Sequence, residues 1–121
     1  MGKWIGVDLD GTLAYYDDWI GIETIGEPIM PMVERVKDWL NQGIEVKIVT
    51  ARVFPVPGRD LEATKAYIYA WCLKNIGKML PIVANKDLDM IVLWDDRCVQ
   101  VEKNTGRLIL ETFTLLSQFQ S

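Results

Sequence analysis

Apolar residues gather along this chain in short blocks of two alternating kinds. Residues 3–7 form a nearly unbroken apolar run, the composition of a strand covered on both faces, and residues 44–50 read as a second strand with Val46, Ile48 and Val49 inside it. Between them, Met32, Val33, Val36, Trp39 and Leu40 recur at helical spacing across residues 31–42, with Glu34, Arg35, Lys37 and Asp38 on the solvent side. Pro31 suits a first helical turn and Gly43 a stop. A strand, a helix and a strand with short joints make a βαβ unit, so the two strands are expected to be parallel.

The same alternation continues. Residues 51–58 hold Pro55, Pro57 and Gly58 and must loop. Asp60 is placed to cap a second helix that Gly77 would close, with Leu61, Thr64, Ile68, Trp71, Cys72 and Ile76 on its inner face. Residues 80–84 and 90–94 read as a third and a fourth strand. Only residues 85–89 separate these two, too few for a helical crossover between parallel neighbours. Either the third strand is short and peripheral, or one of the pair lies outside the main sheet.

Residues 14–28 have no clean period and read as a loop or short hairpin, with residues 19–25 able to pair, lying over the end of the first strand. Residues 99–101 suggest a fifth strand, residues 104–106 a turn, residues 108–110 a returning strand and residues 112–119 a terminal helix. At 121 residues the expectation is one α/β domain over the whole chain with a mainly parallel central sheet.

Composition narrows the chemistry. The net charge is −4 with no run of lysines or arginines, which weighs against broad electrostatic binding to nucleic acid or an anionic membrane. No apolar run approaches a membrane span, and the N-terminus lacks a signal-peptide layout. The two cysteines, Cys72 and Cys98, lack metal-site spacing, so a reduced, cytoplasmic setting is expected. There is no histidine, which removes Ser-His-Asp and Cys-His catalysis and histidine-ligated zinc together. Cys-x5-Arg is absent after either cysteine, and Gly77-Lys78 lacks the rest of a P-loop. Carboxylates, lysines, arginines and hydroxyls remain, a set that selects a hard cation such as Mg²⁺.

The first strand runs out into Asp8-Leu9-Asp10-Gly11-Thr12-Leu13. Two carboxylates at the end of a buried strand cost free energy unless a cation or a shared proton offsets them. Ligands of open α/β sheets sit beyond the carboxyl ends of the strands. Asp8 and Asp10 end the first strand, Thr50 the second and Asp95-Asp96 the fourth, while Lys86 follows the third. Gly11 and Thr12 in the turn, with Arg52 and Arg97, are candidate substrate contacts, although either arginine could equally pair with the nearby acids. Tyr15, Tyr16 and Trp19 suit either stacking on a ring or packing of their loop.

These motifs resemble the haloacid dehalogenase-like (HAD) hydrolases over roughly residues 3–97. Asp8-Leu9-Asp10-Gly11-Thr12-Leu13 matches the first motif of that superfamily, Thr50 the second, Lys86 the third and Asp95-Asp96 the fourth. The resemblance implies a Rossmann-like three-layer sandwich and a Mg²⁺-dependent phosphomonoesterase. In it Asp8 is the nucleophile, Asp10 the acid and base, Thr50 and Lys86 hold the phosphoryl group, and Asp8, the Asp10 carbonyl and one or both of Asp95 and Asp96 bind the metal. Residues 14–28 leave space for a minimal cap at most, so a large or macromolecular phosphate ester is expected unless a partner subunit forms a lid. Asp95-Asp96-Arg97 with Thr50-Ala51-Arg52 also resembles the 3′-phosphatase half of phage polynucleotide kinase-phosphatases, and the Lys-to-Asp-Asp spacing resembles small sugar-phosphate phosphatases. A nucleic-acid-end phosphatase and a non-catalytic phosphate-binding module are the alternatives.

Overall fold

The computed structural model describes residues 2–109. In chain order it contains β1 (Trp4–Asp8), α1 (Met30–Asn41), β2 (Glu45–Val49), a 3₁₀ turn (Ala51–Val53), α2 (Leu61–Asn75), β3 (Ile82–Val83) and β4 (Met90–Trp94). The strands form one sheet in the order β3-β2-β1-β4, with every pair parallel. The Rossmann-like α/β expectation holds. The anticipated terminal helix at residues 112–119 and the end of the returning strand lie outside the described residues.

Both helices begin and end where their sequence asks. Pro31 sits in the first turn of α1, where a missing N–H costs nothing, and Gly43 takes a positive φ just beyond its end. The Asp60 side chain caps α2 by accepting from the Ala63 N–H at 3.0 Å, and Gly77, also at positive φ, turns the chain away.

Register decides what the sheet buries. Ile5 lies beside Val46, Val7 beside Ile48, and Ile48 beside Ile82, so all five share one face. They join Met32, Val33 and Val36 of α1 and Ile68, Trp71 and Cys72 of α2 in a single core. Two right-handed crossovers stepping the same way, from β1 to β2 to β3, put both helices on that face. Among the described residues no helix covers the other, so the third layer of the expected sandwich has no counterpart there.

The strand order also settles the short link before β4. β3 and β4 are opposite edges of the sheet, not neighbours. Their link runs from the C-terminal end of β3 to the N-terminal end of β4 and lies against Trp4, on the face away from the helices. There the Trp4 N–H donates to the Asp89 carbonyl and the Trp4 Nε1–H to the Asp87 carboxylate, each at 3.0 Å. Crossing three strand spacings and the height of the sheet takes about 21 Å, within reach of seven extended steps at about 3.3 Å each. Trp4, only 1% exposed, is covered on this side by the strap and by the Lys47 ammonium, 4.7 Å from its ring.

The fifth strand reduces to one antiparallel bridge, Val101 with Leu108, around a turn in which Asn104 and Gly106 have positive φ. The loop over β1 closes at its neck, where Ala14 bridges Pro28 and the Tyr15 N–H donates to Glu27 at 2.8 Å; no ladder forms across residues 19–25. Trp71 of α2 anchors that neck, its Nε1–H donating to the Gly26 carbonyl at 2.9 Å. A Cβ on Gly26 would lie 1.9 Å from the Tyr15 carbonyl oxygen, a backbone atom that no rotamer change can move. Gly26→Ala is therefore expected to cost about 2–3 kcal/mol, at the upper end of overpacking penalties, read as a lowered urea midpoint.

Candidate active site

β1 ends at Asp8, β2 just before Thr50 and β4 just before Asp95, so parallel strands of matched register deliver these residues to one edge. Beyond that edge lies a cavity of about 600 Å³, lined among others by Asp8, Asp10, Thr50, Arg52, Asp95 and Arg97. Carboxylate oxygens of Asp8, Asp95 and Asp96 lie within 4.8 Å of one another.

The turn after β1 holds this cluster tightly. The Asp96 N–H donates to Thr12 Oγ1 at 3.1 Å, and the Thr12 hydroxyl is 3.3 Å from Asp96 Oδ1 and 3.4 Å from Asp8 Oδ2, so its one proton serves either acid. Gly11 has φ +90°, and a Cβ there would fall 2.5 Å from Asp96 Oδ2. The positive φ favours glycine, and a Cβ would also push the Asp96 carboxylate out of the cluster. Gly11 and Thr12 thus build the acid cluster; neither lines the cavity.

Burial, a hydrogen bond with Asp96 and the charges of Asp95 and Asp96 push the Asp8 carboxyl up to about 8. Three oxygen donors with no cation among them suit a hard divalent ion, and Mg²⁺ fits this set. The raised value has a consequence for stability. Between 3.8 and about 8, folded Asp8 keeps a proton that the unfolded chain has released. Stability is then lost as pH rises. In chelator the melting temperature is expected to fall across that window; if a divalent cation binds this cluster, saturating Mg²⁺ is expected to flatten the fall, and a profile unchanged by Mg²⁺ would count against a cation there.

Asp10 and Arg52 are paired with each other. Arg52 donates to both oxygens of Asp10, Nε to Oδ2 at 2.7 Å and Nη2 to Oδ1 at 2.8 Å. Its side chain is 5% exposed. Nη2 also reaches the Thr24 carbonyl at 3.0 Å, Nη1 the Ile22 carbonyl at 3.5 Å, and the guanidinium stacks 4.8 Å from the Trp19 ring centroid. Arg52 therefore clamps the loop of residues 14–28 onto the site, and of its two anticipated uses the ion pair is the one observed. Thr50 is 2% exposed and caps the 3₁₀ turn by accepting from the Arg52 N–H, while still lining the cavity.

Lys86 makes no contact with the site residues among those the structure shows. It is exposed, does not line the cavity, and immediately precedes Asp87, which binds Trp4 at the opposite end of the sheet. Arg59, which the sequence pattern does not single out, does line it. Its Nη1 donates to the Ala51 and Phe54 carbonyls at 2.8 and 2.6 Å. Neither the Arg59 nor the Arg97 guanidinium forms an ion pair among the described residues, although the Arg97 backbone N–H donates to Asp95 Oδ1 at 2.7 Å. The thiols are poor nucleophiles: burial raises Cys72 to about 11, and burial with the charges of Asp95, Asp8 and Asp96 raises Cys98.

No protein-family model and no curated protein matches the chain. Among solved structures it is similar to a conserved protein encoded by a locus of Bacteroides thetaiotaomicron, with 21% sequence identity and a TM-score of 0.56 over 82% of this chain and 79% of that one. That likeness supports the α/β fold. Among the described residues no helix is long and apolar enough to cross a membrane.

Proposed function

We propose that this chain is a Mg²⁺-dependent phosphomonoester hydrolase acting through an aspartyl-phosphate on Asp8, of the kind its motifs resemble in the HAD superfamily. The observation that carries the reading is the pairing of opposites in one cavity. Asp8 stands with Asp95 and Asp96 at the sheet edge, while Arg59 and Arg97 line the same space, their guanidinium groups in no ion pair among the described residues. An acid cluster alone would repel a phosphate; two unpaired guanidinium groups give its oxygens donors.

Asp8, Asp95 and Asp96 would hold Mg²⁺, which supplies charge neutralisation between phosphate and carboxylates when bound. An Asp8 oxygen attacks phosphorus as the bond to the ester oxygen breaks, and that oxygen leaves with the electron pair and takes a proton. Water then attacks the phosphoryl group, releasing inorganic phosphate and restoring the carboxylate. The Thr50 hydroxyl and the Arg59 and Arg97 guanidinium groups donate to phosphoryl oxygens, taking the part that the resemblance gave to Lys86. Asp10 is the carboxylate placed for proton transfer, and it reaches the leaving oxygen only after turning from Arg52.

A generic aryl phosphate tests the reading, because a phenolate leaves with little help from an acid. Hydrolysis is expected with Mg²⁺, is expected to stop in chelator, and is expected to return on adding Mg²⁺. Turnover undiminished in chelator would remove the metal from the mechanism.

A further inference from the structure

Resting on the phosphatase reading above, we propose that the cavity selects phosphomonoesters whose non-phosphate part carries a planar ring, a mononucleotide being the chemical class that fits. Trp19 and Phe54 are the residues assigned to the ring.

Both aromatics line the cavity with Asp8, yet come from different loops, Trp19 from residues 14–28 and Phe54 from the end of the 3₁₀ turn. Both rings stay half exposed, 51% for Trp19 and 57% for Phe54. Trp19 is fixed by the Arg52 guanidinium on its ring and by its N–H donating to Asp18 Oδ1 at 2.9 Å. Phe54 is fixed through its backbone, its N–H donating to the Ala51 carbonyl at 3.1 Å and its carbonyl accepting from Arg59. Scattered exposed aromatics need no explanation, but two half-exposed rings lining one charged cavity differ.

Arg59 joins the two halves of the site, since the guanidinium that lines the phosphate cavity also fastens Phe54. A sugar phosphate would use the cations and leave both rings wet. A polynucleotide would need many phosphate contacts, and the chain carries a net charge of −4. The cavity offers two unpaired arginines, enough for one phosphate group.

Adenosine 5′-monophosphate and ribose 5-phosphate share phosphate and sugar and differ in the base, so their relative affinity isolates the ring. Calorimetric titration in Mg²⁺, with Asp8→Asn blocking turnover, is expected to show adenosine 5′-monophosphate binding about tenfold or more tightly, as one stacked base commonly gives. Phe54→Ala and Trp19→Ala in that background are each expected to bring the ratio toward one. Equal affinities before either change overturn the inference, as does tighter binding of a 3′-phosphorylated oligonucleotide, which would favour a nucleic-acid end. Failure of the two readings is distinguishable. Ring preference without turnover of any ester by the unaltered chain counts against catalysis alone; turnover without ring preference counts against ring selection alone.

Discussion

Asp8→Asn is expected to abolish phosphate ester hydrolysis, by about 10⁴-fold or more as when other enzyme nucleophiles are removed, and at the same time to raise the melting temperature of the metal-free protein. The two effects have one origin. Asn keeps the shape of the side chain but has no carboxylate oxygen with which to attack phosphorus. It also removes one of three acids whose oxygens lie within 4.8 Å of one another, and with it the cost of protonating or crowding a group pushed up to about 8. Stability and activity therefore move in opposite directions, as expected where a site stores unfavourable charge for function. Initial rates with an aryl phosphate and thermal melts in chelator at about pH 8.5, just above the Asp8 value, measure both. Full activity in the variant would sink the mechanism. A lowered melting temperature would instead show that Asp8 is structurally required.

How much of this site was legible in the chain follows from how each residue gets there. Asp8 and Asp95 stand one step beyond apolar stretches, and a strand rises by a fixed amount per residue, so the length of each stretch carries them to the sheet edge. Thr50 and Asp60 likewise act one residue outside an element, as caps. Lys86 is absent from the cavity lining, and where the chain goes after β3 depends on strand order, not on spacing. A chain leaving β3 for a neighbouring strand would stay near the edge longer; this one departs for the far side of β1 and is bound at Trp4 by Asp87. Arg59 was illegible for a related reason. Its place comes from a turn in which its own N–H bonds the Val56 carbonyl at 3.1 Å, and no spacing rule links it to Asp8. Gly11 was visible as a turn residue, but its closeness to Asp96, 85 positions later, is a tertiary fact.

Arg52→Met should destabilise the protein by about 3 kcal/mol, within the range for removing one partner of a largely desolvated ion pair. The side chain is 5% exposed and its partner Asp10 19%, so Met restores packing volume but leaves a half-buried carboxylate without its two donors. The Thr24 carbonyl loses its guanidinium partner and Trp19 loses the cation on its ring. Because those contacts span the loop of residues 14–28 while Trp71 and the neck bridge hold only its base, the loss concentrates at the loop tip. Chymotrypsin is therefore expected to cut after Tyr16 or Trp19 in the variant well before the wild type. Lysine would not rescue the clamp, since one ammonium cannot reproduce a bidentate fork and a stacked plane. The same variant separates the two duties of Asp10. If release from Arg52 is what proton transfer to the leaving oxygen requires, turnover of an alkyl phosphate, which needs that proton, should fall less than turnover of an aryl phosphate, which does not. Equal losses on both substrates would leave Asp10 as the anchor of the clamp and nothing more.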